Sequence, residues 1–452
     1  MKKMKPVIGL LLTVALLAGC SGNTAIKPAI TSEQTATTAA VTSATETTAA
    51  AATTAMETTA PEATKAISRR PDRTDLSGMK QSLTELPEYK VDNGIWRPVD
   101  LRQKDLSSID VSGDLDSLLH AEFDAATVWP DTLPAGFDPA EIIKSCMTPG
   151  LGIETLREQG ITGAGVAIAI IDKPLYLDHS EYKDRIVSYE DLSADKYDFY
   201  QAELHSAFMT SVAAGKNCGV ANEANIYFLS ASVWSDDGST LSWLAYAKAV
   251  DRVLEINQTL ADSDKIRAIS ISASWAPGDI GYDELEAAIK RATDAGIFVA
   301  TCNMFIDSGY TFCFQGLDIS PVDDKNDLNS YNVIEWPQWL SMQREDYVTY
   351  YTGEFAAHAP KEILLVPMDS IASAESTGPD DYIFNRIGGW SAAEPYMAGL
   401  YALACQVKPD ITPTEFWTAA LATGDVKEIE IDGVSYTGKV ANPVALAESL
   451  GA

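Results

Sequence analysis

Histidine, cysteine and positive charge are all scarce in this 452-residue chain. It has four His, six Cys and 33 Lys plus Arg against 64 Asp plus Glu, a net charge of −31. A surface this negative excludes a nucleic-acid binder and a protein that docks on anionic lipid head groups by charge. Beyond Cys20, the cysteines are Cys146, Cys218, Cys302, Cys313 and Cys405. An odd number at irregular spacing excludes a disulfide framework and a zinc pattern, leaving mostly buried apolar thiols. There is no repeat period. The longest apolar run, from Val7 to Leu17, falls well short of the roughly 20 residues a membrane-spanning helix needs. What is present is 46% apolar side chains, enough for one large core or two ordinary ones.

The N-terminus reads as an address. Lys2, Lys3 and Lys5 precede the apolar run, which ends in Leu17-Ala18-Gly19-Cys20 followed by Ser21. This is similar to a bacterial lipobox, which implies a signal peptide over 1–19, cleavage before Cys20 and a diacylglycerol on its sulfur. The expected location is the extracytoplasmic side of the cell membrane, with lipid on Cys20 as the anchor. Residues 24–66 hold 14 Thr and 14 Ala with no aromatic. Such a stretch cannot offset its ordering entropy by burial, so 20–66 is expected to be a disordered tether spanning roughly 35 Å. Residues 67–150 carry Trp96 and Trp129 but no clear periodicity. They fit either an N-terminal extension packed on the core or a pro-segment.

Residues 151–452 alternate strand-like and helix-like patterns. Val166 to Ile171 is continuous and rich in β-branched residues, as in a strand buried on both faces, and 226–229, 268–271, 297–301 and 363–366 look alike. Between them 205–214, 241–257, 282–295 and 391–405 have helical spacing. The pattern predicts an α/β fold, a mostly parallel sheet with helices on both faces. Sites in such sheets lie beyond the carboxyl ends of the strands.

Four positions are suited to chemistry there. Asp172 ends the first strand; it is also a common loop or cap residue. His205 opens a helix whose apolar positions place it at the N-terminal end of the buried face, where an imidazole is positioned as a general base. Asn303 follows the strand 297–301 and offers an amide to an oxyanion or, equally, a turn. Ser391 begins Ser-Ala-Ala-Glu-Pro, which predicts a capping box with Ser391 at the N-cap, Glu394 three residues on and Pro395 at the fourth helical position. A serine at a helix N-terminus also lies where backbone N–H groups stabilise negative charge.

Together these segments resemble the subtilisin-like serine peptidases. Gly163 to Asp172 is similar to the family's block ending in the catalytic Asp, and His205 to Gly215 to its His-Gly-Thr-His-Val-Ala-Gly block. Gly219-Val220-Ala221 is similar to its Gly-Val-Ala-Pro strand entry, and Phe298 to Asn303 to the block ending in the oxyanion-hole Asn. Gly389 to Pro395 is similar to Gly-Thr-Ser-Met-Ala-x-Pro, and Gly438 to Pro443 to the closing segment. The resemblance covers roughly 150–450, in the order Asp, His, Asn, Ser. It implies a subtilisin-like fold and peptide-bond hydrolysis by Asp172, His205 and Ser391, with Asn303 and the Ser391 N–H holding the oxyanion. It also implies a peptide or protein substrate lying beside Ser270 to Ser274, with Trp275 shaping a pocket. No cofactor is implied. Calcium sites occur in the family, but no acidic cluster here fits one well enough to name ligands. His179 matches a non-catalytic family histidine, whereas His120 and His358 have no supporting context.

The sequence departs from the family at several neighbours. Lys173-Pro174 follows the Asp where the family has Thr-Gly or Ser-Gly, and an ammonium here is placed to pair with Asp172. Ser206 replaces a Gly, Phe208 a second His, Trp390 a Thr and Ala392 a Met. Two other readings compete: a catalytically silent surface lipoprotein of the same fold that binds peptides or a partner, and a solute-binding lipoprotein. The second needs two similar lobes, and the pattern holds one sheet.

Overall fold

The computed structural model describes residues 66–92, 95–96, 98–192, 200–235, 239–302, 314–333, 362–431 and 434–452. The signal peptide, Cys20 and nearly all of the tether lie outside them, as do Asn303, Cys313 and His358.

In chain order the N-terminal part contributes β1 (Ala66–Ile67), β2 (Val99–Asp100), β3 (Ala121–Asp124) and α1 (Pro139–Cys146). The next stretch holds β4 (Ala167–Asp172), β5 (Ile186–Asp191), α2 (Leu204–Ala214), β6 (Asn225–Ser230), α3 (Leu244–Thr259), β7 (Ile266–Ile271), α4 (Tyr282–Asp294) and β8 (Phe298–Thr301). The C-terminal part holds β9 (Phe314–Asp318), β10 (Glu362–Pro367), β11 (Asp369–Ala374), β12 (Tyr382–Ile387), α5 (Trp390–Val407), α6 (Pro413–Thr423), β13 (Asp425–Ile431), β14 (Val434–Val440) and α7 (Pro443–Leu450).

The principal sheet has six strands in the order β1-β5-β6-β4-β7-β8, every pair parallel. All six residues of the central strand β4 are buried. Its pleat sends Ile168 and Ile170 into one core with α2 and α5, and Ala167, Ala169 and Ile171 into a second core with α3 and α4. The fold is therefore α/β, with helices on both faces, as the alternation predicts. A five-stranded mixed sheet follows, with β9, β10 and β14 parallel, β13 antiparallel at one edge and Asn332–Val333 at the other.

Residues 67–150 are built into this body. β3 pairs antiparallel with β12, Phe123 opposite Phe384, and β2 pairs parallel with β3, so β11-β12-β3-β2 is one sheet. A third core joins Val99, Leu101, Leu118, Phe123, Phe137 and Ile142 of the N-terminal part to Ala372 and Phe384 of the hairpin. The Phe123 and Phe384 rings lie 5.1 Å apart. The missing periodicity has a plain cause: β2 and β3 have two and four residues, too few to show a period of two. Helix α1 is better signposted, with Asp138 accepting from the N–H groups of Ala140 and Glu141 and Pro139 in the first turn.

Candidate active site

Asp172 is the last residue of β4, opposite Ser230 of β6, and is 3% exposed. Its carboxylate faces the ring of His205, with Nδ1 2.8 Å from Oδ2 and 3.0 Å from Oδ1. A carboxylate only accepts, so Nδ1 carries the donated proton and a neutral ring keeps the lone pair on Nε2. Two further donors hold the carboxylate: the Lys173 N–H at 2.7 Å and the Ser206 hydroxyl at 3.4 Å, both on Oδ1. The Ser206 hydroxyl also reaches the Lys173 carbonyl at 2.7 Å, tying the start of α2 to the end of β4. Lys173 thus meets Asp172 through its backbone amide. Among the described residues there is no ion pair between its ammonium and Asp172, and that expectation is corrected. The backbone amide, one residue on, is held beside that carboxylate by the chain itself.

His205 is the second residue of α2 and its side chain is 9% exposed. Every residue from Ser206 to Ala214 is buried, so beyond its half-buried first two residues α2 has no solvent face.

Ser391 lies at the start of α5, but not at its cap. The helix begins at Trp390, and the N-cap is Gly389, at φ 66°, with no side-chain cap hydrogen bond. The predicted capping box of Ser391 and Glu394 is therefore not formed. Glu394 turns into the core instead, 1% exposed. The capping box present is Thr412 with Glu415 on α6. Pro395 consequently sits in the helix interior, four residues after Ser391, where its missing N–H strands the Ser391 carbonyl. The Ser272 hydroxyl supplies the absent bond, donating to that carbonyl at 2.8 Å, while the Ser391 hydroxyl lies 3.5 Å from the Ser272 carbonyl. Ser272 directly follows β7, the neighbour of β4. Asp172 and Ser391 are thereby held at the carboxyl ends of adjacent strands. A proline four residues after a candidate nucleophile is the signal that a second donor must be nearby. At Gly399 an added Cβ would lie 2.7 Å from Val220 Cβ and 3.0 Å from the Ala213 carbonyl, so glycine lets α5 press against the end of α2.

Asn303 lies outside the described residues. The residue before it, Cys302, is anchored by its N–H to the Ala273 carbonyl at 3.1 Å. Trp275 is 1% exposed, packs on Trp243 and donates its indole N–H to Glu286 at 2.5 Å. It belongs to the core, so its expected role as a pocket wall is corrected. Ser270 and Ile271 are likewise hydrogen-bonded within an interior strand between β4 and β8. A peptide cannot add there, and only the stretch past the strand end remains. His179 is fully buried, with Nε2 2.8 Å from the Asp381 carbonyl and Nδ1 accepting from the Glu181 N–H at 3.2 Å; burial lowers its basicity. Among the described residues no group of three or more His, Cys, Asp or Glu could hold a metal ion.

No family model matches the chain. Among curated proteins, the subtilisin-like protease PopC of Myxococcus xanthus is 23% identical over 311 residues, 64% of this chain and 61% of that protein. The serine protease AprX of Bacillus subtilis is 28% identical over 292 residues, 57% of this chain and 60% of that protein. The chain is homologous to the subtilisin-like proteases. It spans about three fifths of the length of the curated subtilisin-like relatives it matches. Among solved structures, a cold-adapted subtilisin-like serine proteinase is similar at 19% identity and TM-score 0.40, over 62% of this chain and 90% of that one. The prenylagaramide maturation protease PagA is similar at 16% identity and TM-score 0.44, over 66% and 98%.

The burial of Glu394 has a measurable consequence. Burial pushes its carboxyl well above the usual carboxylate range, opposed only by a hydrogen bond with Cys302. A folded-state pKa raised above the unfolded one means the folded chain keeps a proton the unfolded chain loses. The stabilisation is complete below the unfolded pKa near 4.3 and declines as pH rises toward the folded value. Urea midpoints of Glu394→Gln, measured from pH 5 to 8.5, should therefore improve relative to the parent as pH rises. A constant difference across that range would contradict the burial of a protonated Glu394.

Proposed function

We propose that the chain is a serine endopeptidase, lipid-anchored on the extracytoplasmic side of the cell membrane, that hydrolyses peptide bonds through Ser391, His205 and Asp172. The observation that carries this reading is the paired contact of His205 Nδ1 with the buried carboxylate of Asp172, at the same sheet edge as Ser391. The Ser391 hydroxyl attacks the peptide carbonyl and its proton passes to His205 Nε2. Asp172 holds the ring in the tautomer that can accept it and stabilises the imidazolium. The tetrahedral oxyanion takes the Ser391 N–H and the Asn303 amide, each such donor being worth roughly 3–4 kcal/mol in the transition state. Collapse breaks the C–N bond as His205 returns the proton to the leaving amine, and water repeats the sequence on the acyl-enzyme.

A fluorophosphonate probe tests the reading directly. It should label Ser391 in the folded chain, and absence of labelling would leave the silent-lipoprotein alternative. That alternative is weakened by the joint presence of hydroxyl, imidazole and carboxylate, and by the protease names of both curated relatives.

The membrane part rests on the lipobox-like leader. No helix among the described residues is long and apolar enough to cross a membrane, and a lipid on Cys20 needs none. Cys20→Ser is expected to move the protein from the membrane to the soluble fraction and to abolish labelling by radioactive palmitate. An unchanged distribution would reject the anchor.

A further inference from the structure

A cavity of about 110 Å³ lies between the N-terminal extension and the end of β4. His205, Lys173 and Glu203 line it from the core, Arg102 and Met79 from the extension, and Glu375 from the residue after β11. Glu375 is 1% exposed, and neither oxygen of its carboxyl has a hydrogen-bond partner. Buried carboxyl groups are nearly always satisfied, so one left open on a cavity wall marks a place for a ligand.

The charges around it favour a cation. Arg102 is engaged by Asp100, with contacts of 2.8 and 3.0 Å. Lys104, also on the wall, donates its ammonium to Gln81 at 3.1 Å. Lys173 and Glu203 contribute one charge of each sign. Asp124 is saturated by the Gln103 and Ala126 N–H groups, the Gln103 side-chain amide and the Thr127 hydroxyl. The Thr377 hydroxyl, near Glu375, is directed to Asp381 at 2.9 Å. At Glu375 burial, and after it the negative charges of Asp124 and Asp381, push the carboxyl up to about 8 against the nearby Thr377 hydroxyl and Arg102. Among the described residues no lysine or arginine forms an ion pair with Glu375.

We propose that this cavity is a substrate subsite for a lysine or arginine side chain of the peptide, with Glu375 holding the charged end. The proposal rests on the reading of His205 as the catalytic base. Because His205 lines the same cavity, the basic residue belongs within one or two positions of the bond to be cleaved. The extension is then part of the substrate site, since Met79 and Arg102 complete the wall.

The test uses quenched-fluorescent peptides of one sequence in which each position flanking the bond is varied between lysine and norleucine. One position should show at least a tenfold gain in kcat/KM for lysine, and Glu375→Gln should cut that ratio at least fivefold. No such position, or a ratio unchanged in Glu375→Gln, overturns the proposal. Met79→Trp is a second variant at a side chain 42% exposed at the rim, where folding is not at stake; filling the mouth should also lower the ratio. Fluorophosphonate labelling of the same sample separates the two readings: labelled protein without a lysine preference refutes the subsite alone. If neither labelling nor cleavage occurs, binding decides the subsite independently. Ser391→Ala should hold the amidated lysine peptide at least tenfold more tightly than its norleucine twin by fluorescence anisotropy, and equal binding rejects the subsite.

Discussion

Ser391→Ala is expected to lower kcat for a peptide substrate by about 10⁶-fold and to abolish fluorophosphonate labelling. The substitution removes one oxygen from a helix start whose geometry does not depend on it. Gly389, not Ser391, caps α5, and the Ser272 hydroxyl bonds the Ser391 carbonyl, which alanine retains. The thermal midpoint should therefore move little while activity disappears. A residue that merely capped the helix would behave in the opposite way, losing about 1 kcal/mol of stability with catalysis intact. Stopped-assay kinetics and calorimetry on the same preparation distinguish the two. Retained labelling would dismiss Ser391 as the nucleophile.

Asp172→Asn should cost about 10⁴-fold in kcat at neutral pH with little change in KM. The amide is nearly isosteric, and the carboxylate's contacts show what goes wrong. Oδ1 accepts the Lys173 N–H at 2.7 Å, which orients an asparagine with its oxygen there and its NH₂ toward His205. An NH₂ facing Nδ1 demands a lone pair on that atom, so the proton shifts to Nε2, where the base must be free. The pH–rate profile separates this from simple loss of folding. A misassigned tautomer lowers the plateau and leaves the protein folded by circular dichroism. A loss of less than tenfold would remove Asp172 from the mechanism.

The strands at 166–171, 226–229, 268–271, 297–301 and 363–366 and the helices between them were legible because each buries a long run whose period matches its type, whereas β5, β11 and β12, whose apolar residues are interrupted by polar ones, were not. β4 reads as six consecutive apolar-to-acidic residues because both its faces are covered. Asp172 and His205 were legible for a related reason: each ends or begins such a run, and the sheet topology carries those ends to one side. The start of α5 was misread by the same logic. Ser-x-x-Glu is a sound cap locally, but Gly389 at positive φ and the burial of Glu394 override it. The roles of Ser206, noted only as a replacement for Gly, and of Ser272, noted only within the expected substrate strand, were not legible because each acts through a neighbour in space, 34 and 119 residues away in sequence. Trp275 was misplaced for a similar reason, since only the packed fold shows Trp243 and Glu286 waiting for it.

With the proposed lipid anchor on Cys20, the splicing of β3 onto β12 also decides what a proteolytic cut would release. A break in the backbone between β3 and α1 leaves the two fragments clasped by the β3–β12 pairing and by the Phe123–Phe384 core. Nicking there shortens the polypeptide on a denaturing gel without separating the two pieces. A cut upstream, in the Thr- and Ala-rich stretch before residue 66, would instead part the chain from the proposed lipid on Cys20 with its extension still in place.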